Sequence, residues 1–440
     1  MNSKNISNFI VLLIVDVITL IGTFYLSIFI RNRLHSSDIP LFNQIEIIDF
    51  MFVICIIIFL FLYEKIYSFR YDFWQESKKI VKSIFLSYLL VLTILALMKS
   101  NLNYSRLFIT IYFISALTVV PIVKRYTKKI LYSFDFFKKR VLLIGEKRQK
   151  DRFKSEFASN FYLGQIYAKN NYDFVIIISK GISLTKLDLL IRKYINSSDG
   201  LYIVPYMTNI NFAYSTIMEY SNIQYNSIYI ENRLLIKQNI FLKSIFDKLS
   251  AILIMPIFAT IHIIISSLIK LDSNGAVFFR QPRLGKDNKN FLCYKYRTMY
   301  NNSDKLLTEY LKNHPSEINY YNRYHKYQND PRITTIGKIL RATSLDELPQ
   351  VINILKGEMS WVGPRPYMLN ESDKLGEYLP FILRVKPGIT GLWQVSGRNN
   401  LTFKERNELE VWYIKNWLLW DDFVILIKTI KVVLLKVGAR

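Results

Sequence analysis

Four apolar stretches dominate the first part of the chain: Phe9–Ile30, Ile47–Tyr63, Ile80–Met98 and Leu107–Val123. Each is close to the ~20 residues that a helix needs to cross a bilayer. The gaps between them are short and polar, so residues 1–130 are expected to form a four-helix transmembrane bundle. The pattern then changes. Val141–Ile144 is a short apolar run entering Gly145, and Phe174–Ser179 and Leu201–Val204 are two more such runs. Leu184–Tyr194 has helical periodicity, so 138–232 predicts βαβ units in a small α/β domain resembling a nucleotide fold. A fifth apolar stretch, Ile245–Ile269, carries Pro256 in its middle. Proline removes a helix hydrogen bond and bends the axis. The stretch is either a kinked fifth span or a helix that enters one leaflet, breaks at Met255–Pro256 and returns. Lys243 and Lys248 before it and Lys270 after it suit the second. His262 in this stretch is expected to cap a backbone group freed by the bend. The remainder, Lys270–Arg440, mixes turns and amphipathic stretches as a mixed α/β domain does. It ends in Asp422–Val437, whose lysines alternate with aliphatic residues as in a helix lying in an interface.

Charge fixes the expected orientation. Lys plus Arg outnumber Asp plus Glu by 58 to 34, and 51% of the chain is hydrophobic. A basic chain without apolar runs suggests nucleic acid; with them, the better partner is anionic membrane lipid, and no nucleic acid is expected. Lys65, Arg70, Lys78 and Lys79 separate the second and third stretches, and Lys124, Arg125, Lys128 and Lys129 follow the fourth. Both regions are therefore assigned to the cytoplasm, together with the N-terminus and everything after Lys124; Arg31 and Arg33 in the first gap weaken that bias without reversing it. The first apolar run is too long for a signal-peptide core. Two cysteines, Cys55 and Cys293, are too few for a disulfide framework or a Cys-based zinc site. Gly145 is followed by Glu146, Lys147 and Arg148, not by the further glycines that cradle a dinucleotide. The central domain is thus a degenerate nucleotide fold, expected to bind no dinucleotide and to serve association between protomers, such as a homodimer.

Five strings after the fifth stretch carry chemistry. In Arg341-Ala-Thr-Ser-Leu-Asp346-Glu347-Leu-Pro349-Gln, Pro349 favours the first turn of a helix and puts Asp346 and Glu347 at its start. An ordinary capping box of Ser344 with Glu347 has the same spacing. The other possibility is one nucleophile beside one metal ligand, as phosphoryl transfer with Mg²⁺ requires. In Gly357-Glu-Met-Ser-Trp-Val-Gly-Pro-Arg365-Pro, prolines on both sides stiffen Arg365, which makes it a phosphate clamp or a rigid surface turn. Gln281-Pro-Arg-Leu-Gly285 precedes Phe291-Leu-Cys-Tyr-Lys295-Tyr-Arg297-Thr-Met, where Lys295 and Arg297 share one strand face. Asn329-Asp-Pro-Arg-Ile-Thr-Thr-Ile-Gly337 follows. Lys386-Pro-Gly-Ile-Thr-Gly-Leu-Trp-Gln394-Val-Ser-Gly-Arg398 is a glycine-rich loop suited to packing a base or sugar.

These strings, in this order, resemble the bacterial sugar transferases, the polyprenyl-phosphate sugar-1-phosphate transferases. The likeness covers the chain from about Lys243 onward. The whole layout resembles the long-form undecaprenyl-phosphate galactose or glucose phosphotransferases. The resemblance implies a catalytic domain over 243–440 on the cytoplasmic face of the bacterial inner membrane. There Asp346 is the nucleophile that takes up the sugar-phosphate, and Glu347 beside it is associated with Mg²⁺. Both carboxylates are its expected metal ligands. It implies substrate-binding roles for Lys295, Arg297, Arg341, Arg365, Gln394 and Arg398. The implied partners are a UDP-sugar and undecaprenyl phosphate, with UMP released, at the initiating step of O-antigen, capsule or exopolysaccharide synthesis. Met255–Pro256 replaces a frequent Ser-Pro at the break of the re-entrant helix, and Ala276 replaces a frequent proline. A non-catalytic membrane scaffold is the alternative, and it has no need for the acidic pair together with Arg341 and Arg365.

Overall fold

The computed structural model describes residues 3–34, 46–97, 105–195, 200–205, 215–220, 225–229, 233–315, 317–318, 327, 330–397 and 401–434. The chain divides into two units, Met1–Met207 and Thr208–Arg440.

In the first unit the four apolar stretches are helices: α1 Ser3–Arg33, α2 Ile47–Tyr63, α3 Phe73–Leu97 and α4 Arg106–Leu131. Three are long and apolar enough to span a bilayer, and α2 is shorter at 17 residues. The third helix begins about two turns before its apolar run, where Asp72 Oδ1 accepts from the amides of Trp74 and Gln75, at 2.7 and 3.2 Å. Leu20, Phe24, Phe50, Phe61, Phe108 and Tyr112 interlock in the bundle core. Ile18, Phe59, Phe85 and Ile114 face outward, as residues solvated by lipid do.

Buried charges cross this apolar core. Lys124 Nζ lies 2.5 Å from Asp16 Oδ2, which also accepts from Tyr67 Oη at 2.8 Å. Glu76 pairs with Lys128 and stands 3.7 Å from Lys124. The two acids and two lysines are neutral as a set, which is how charges survive away from water.

The same unit holds a parallel sheet of order β2-β1-β3-β4, with β1 Lys139–Ile144, β2 Gln165–Tyr167, β3 Phe174–Ile178 and β4 Leu201–Val204. Helices α5 Lys147–Ser159 and α6 Leu184–Tyr194 complete the βαβ pattern. Every residue of β3 is buried, as expected of a central parallel strand. Gly145, at φ 147°, gives the approach of β1 to β3: a Cβ there would sit 2.9 Å from that of Ile178.

The second unit opens with the antiparallel hairpin β5 Thr216–Tyr220 and β6 Tyr225–Tyr229. Among the described residues the last strand of the parallel sheet ends at Val204. Then comes α7, Lys237–Asp272, a single helix of 36 residues. The helix runs through Pro256 without the interruption expected at Met255–Pro256. Proline deletes one bond of the ladder, and packing on either side retains the helix. Ala251 and Met255 pack with Phe291, Val351 and Ile354, and Ile265 and Ile269 pack with Tyr296 and Leu340. His262 does not cap a backbone group. Its Nδ1 lies 3.0 Å from Tyr296 Oη and its ring stacks on Phe258, Phe278 and Tyr296, because the strand that ends at Tyr296 passes beside it.

Next are the hairpin β7 Phe278–Leu284 and β8 Asn290–Tyr296, then α8 Ser303–Asn313, α9 Thr335–Thr343 and α10 Gln350–Lys356. Strands β9 Ser360–Val362 and β10 Gly388–Thr390 pair in parallel. Helices α11 Phe403–Asn416 and α12 Leu419–Leu434 close the domain around Val362, Tyr367, Ile414 and Trp417. The expected C-terminal amphipathic helix is thus α12, and Asp422 inside it is fully buried, accepting from Lys243 Nζ, Tyr413 Oη and Trp417 Nε1 at 2.5, 2.6 and 3.1 Å.

Breaking the buried charge set in the bundle strands a lysine. Glu76→Ala is expected to lower the stability of the detergent-solubilised chain by about 3–5 kcal/mol. Adding Lys128→Met should recover a large part of the loss in thermal melts followed by size-exclusion.

Candidate active site

The chemistry-bearing residues of the second unit come together because one side chain locks a helix to a strand. Asn353 of α10 is fully buried. Its Oδ1 accepts from the amide of Tyr294 at 3.1 Å, and its Nδ2 donates to Leu292 O at 2.8 Å and to Glu358 Oε2 at 2.6 Å. The amide side chain thus serves β8 as a further strand would. Along that strand Phe291 and Cys293 enter the core against Val351 and Ile354. Two residues on, Lys295 points the same way and reaches Glu347 Oε1 at 2.6 Å.

The acidic pair lies in the link between α9 and α10. Ser344 adopts a left-handed conformation, φ 56°, which ends α9 and reverses the chain into a 3₁₀ turn, Leu345–Glu347. Pro349 stands just before α10, so the pair precedes that helix rather than forming its first turn. Nor is there a capping box: Ser344 makes no side-chain cap, and Glu347 is turned to Lys295. Asp346 accepts no hydrogen bond from another side chain among the described residues. Burial pushes its carboxyl up to about 6; Lys295 and Arg341 oppose that rise, and the neighbouring Glu347 adds to it. Burial works against the charge of Lys295, but Glu347 and Asp346 outweigh it and hold the ammonium above its usual range.

Arg341 closes α9, with its Nε donating to Thr298 Oγ1 at 2.9 Å. The string from Asn329 to Gly337 explains how α9 is set. Asp330 binds Arg332 through both oxygens, at 2.8 and 2.6 Å, and Thr334 Oγ1 caps the amide of Gly337 at 3.0 Å. A Cβ on Gly337 would lie 2.2 Å from Thr298 O, so only glycine lets α9 start against that backbone.

Arg297 parts from Lys295. It is buried, and its guanidinium donates to Asn274 O at 2.9 Å and to Ser273 O at 2.6 Å, just beyond the end of α7. It pins the turn that follows the helix instead of facing the acidic pair. Gln394 folds back on its own segment, with Nε2 3.5 Å from Ile389 O. Arg398 lies outside the described residues.

Arg365 sits in a turn built from two of the strings. A Cβ on Gly388 would come within 2.1 Å of Gly363 N, and one on Gly363 within 2.6 Å of Lys386 O. Gly363 and Gly388 are thus spent on one backbone contact at the ends of β9 and β10. The Arg365 guanidinium faces Glu371, with Nη2 3.7 Å from Oε1. A small cleft lined by Gly285, Pro364, Arg365, Leu383 and Pro387 opens beside it. Arg283, unassigned from the sequence, belongs here too. It is buried, donating to Pro366 O at 3.0 Å and Gln281 Oε1 at 2.6 Å. Burial lowers its pKa, and Arg365 on one side and Glu347 on the other are within electrostatic range. Its place on β7, opposite Phe291, was visible only once the hairpin register was known.

Residues 238–436 match the bacterial sugar transferase family. The chain is 32% identical over 409 residues to the undecaprenyl-phosphate galactose phosphotransferase of Salmonella typhimurium, covering 85% of this chain and 84% of that protein. It belongs to the bacterial sugar transferase family. A UDP-galactose-lipid carrier transferase of Erwinia amylovora is 30% identical over 404 residues, 85% of this chain and 84% of that protein. The exopolysaccharide production protein ExoY of Sinorhizobium fredii is 41% identical over 197 residues, 45% of this chain and 87% of its own length. As a bacterial sugar transferase the chain is an enzyme with apolar membrane helices. Its most concentrated chemistry is the Asp346–Glu347 pair, with Lys295 and Arg341 beside it and Arg283 within electrostatic range of Glu347.

Among the described residues no group of three or more His, Cys, Asp or Glu side chains could enclose a metal. Two adjacent carboxylates suit a hard divalent cation that keeps waters and shares a substrate's phosphates, and they do not suit a closed zinc site.

The sign of the Asp346 shift sets a pH limb. If Asp346 acts as a carboxylate, kcat/KM falls as pH drops through about 6. Lys295 favours the ionised form, so Lys295→Met should move that acid limb to higher pH. A pH profile of both proteins in membranes, from about pH 5 to pH 8, tests this; an unmoved limb would separate Lys295 from Asp346.

Proposed function

We propose that the chain transfers a hexose-1-phosphate from a UDP-sugar to undecaprenyl phosphate through a covalent intermediate on Asp346. The observation that carries this is a half-buried carboxylate, bonded to no other side chain among the described residues, beside a second carboxylate held by Lys295. In the first step an Asp346 Oδ attacks the sugar-bearing phosphorus, the bridging P–O bond breaks, and UMP leaves with the electron pair. In the second step a phosphate oxygen of undecaprenyl phosphate attacks the same phosphorus and frees Asp346. The product is undecaprenyl-diphosphate-sugar, and the transfer as a whole is the initiating step of a surface polysaccharide.

Each step spreads negative charge over phosphoryl oxygens. Lys295, Arg341, Arg283 and Arg365 supply the positive field, and Lys295 also keeps Glu347 from swinging onto the nucleophile. Asp346 and Glu347 would hold Mg²⁺, which supplies charge neutralisation at the diphosphate. The names of the relatives from Salmonella typhimurium and Erwinia amylovora support galactose as the sugar ahead of glucose.

The lipid acceptor presents its phosphate at the membrane surface, and α7 supports a site there. Its early part is tied to the catalytic domain by Lys243 with Asp422 and by Asp247 Oδ1, which accepts from the Trp361 amide at 3.2 Å. Its far end is tied to the same domain by Asp272 Oδ2, which accepts from the Ile336 amide at 2.9 Å. A helix held at both ends by one globular domain does not carry that domain across a bilayer. Between the anchors Leu253, Ile257 and Ile263 are each more than 60% exposed, as a lipid-facing surface requires. On this reading α7 lodges as one continuous helix at the cytoplasmic face of the inner membrane, its exposed apolar side in the lipid and both its ends on that face.

Wild-type protein incubated with Mg²⁺ and UDP-galactose labelled in the sugar-attached phosphate, without acceptor, should carry label on the peptide containing Asp346. Asp346→Asn should lose several orders of magnitude of the first half-reaction. Label on another peptide, or UDP released in place of UMP, would overturn the mechanism. For topology, a reporter fused after Arg440 that is active only in the periplasm should remain silent.

A further inference from the structure

The Pro364–Arg365–Pro366 turn raises a problem of hydrogen bonding. Neither proline has an N–H, so the turn offers its surroundings a single backbone donor, the amide of Arg365. Two of its carbonyls are already in use: Pro364 O accepts from the Gly388 amide at 2.8 Å, and Pro366 O from Arg283 Nη1 at 3.0 Å. The lone donor goes to a side chain 45 residues away, with Arg365 N donating to Glu410 Oε1 at 2.7 Å.

Glu410 lies on α11 and is 2% exposed. Its second oxygen, Oε2, accepts from Tyr367 Oη at 2.7 Å, one residue beyond the turn. Tyr367 Oη also stands 2.8 Å from Asn407 Oδ1, one helical turn earlier on α11. The carboxylate therefore grips both sides of the turn: the residue whose guanidinium faces the cleft, and the tyrosine that anchors the exit. Burying a carboxyl this deeply is costly; burial pushes Glu410 up to about 7, opposed by its bonds to Arg365 and Tyr367 and by the charges of Arg365 and Arg406. An apolar residue would fill the same space without that cost, so the carboxylate is explained by what it holds.

We propose that Glu410 is the positioning residue of Arg365, fixing the height and direction at which the guanidinium enters the cleft by holding the only backbone donor of the turn. It touches no substrate and acts through Arg365. This rests on the reading of Arg365 as a phosphate clamp for the UDP-sugar.

The test is a double-mutant cycle on the full-length protein in membranes, with UDP-galactose, undecaprenyl phosphate and Mg²⁺. Arg365→Ala should lower kcat/KM by about 100-fold. Glu410→Ala should lower it by about 10- to 100-fold, because a buried donor is left without its charged acceptor. Much of that loss should appear as a raised KM for UDP-galactose. Adding Glu410→Ala to Arg365→Ala should cost less than about threefold more, since the residue it positions is already gone. Glu410→Gln, which keeps an acceptor for the Arg365 amide, should recover at least about tenfold over Glu410→Ala. If Glu410→Ala does not yield folded protein, the cycle is run with Glu410→Asp, which keeps the charge and withdraws the oxygens. Losses that multiply across the cycle, or a full-strength Glu410→Ala, overturn the proposal. Full activity of Arg365→Ala sinks the clamp reading itself, and its separate arm makes that outcome distinguishable.

Discussion

The ion pair of Lys295 with Glu347, 2.6 Å across a half-buried cleft, is the contact on which the rest of the site depends. An exposed pair of this kind contributes little, because ordering two long side chains offsets the Coulomb gain. Here most of the ordering is done beforehand. Asn353 fixes α10 to β8, and Ser344 fixes the direction from which the acidic turn arrives. Lys295 therefore meets Glu347 without searching, and Asp346 is left beside a positive charge that it does not have to share as a bonded partner. A nucleophilic carboxylate needs both conditions. Tight pairing would quench it, and isolation in an apolar site would keep it protonated.

Phosphoryl chemistry also asks for positive charge held inside a folded domain. The second unit solves this with arginines whose charge is partly desolvated and whose donors are mostly committed to neutral oxygens. Arg283 bonds a carbonyl and a glutamine, and Arg297 bonds the carbonyls beyond α7. Neutral acceptors hold a guanidinium in place without cancelling its field. Arg283 thus adds to the potential seen by an incoming diphosphate, whereas Arg297, aimed at the helix exit, spends its donors on architecture.

Periodicity made the membrane helices legible, and the buried runs made β1, β3 and α6 legible, because each signal repeats over many residues and no local detail can cancel it. The acidic pair was also legible, since adjacent acids flanked by Arg341 and Pro349 are an uncommon local string. What escaped was set by contacts distant in sequence. Whether Arg297 faces a substrate or a helix end depends on Gly275, where a Cβ would lie 1.9 Å from its Nη1. Glu410 looks like any helix acid until α11 is laid against the turn 45 residues earlier. The break expected at Pro256 failed for a related reason. A proline states what a helix loses locally, while the packing of Ala251 and Ile265 on the domain determines whether the loss is tolerated.

The contact between Gly363 and Gly388 has an evolutionary consequence. Each glycine is confined by the backbone of the other string, not by a side chain that could shrink to make room. A larger residue at one position therefore has no partner substitution that rescues it. Side-chain collisions let lineages drift by compensating pairs; a backbone collision does not. Divergence in this fold is expected to proceed around these two positions, through the residues that approach the cleft, so that new sugar specificities can arise without the turn that carries Arg365 being renegotiated.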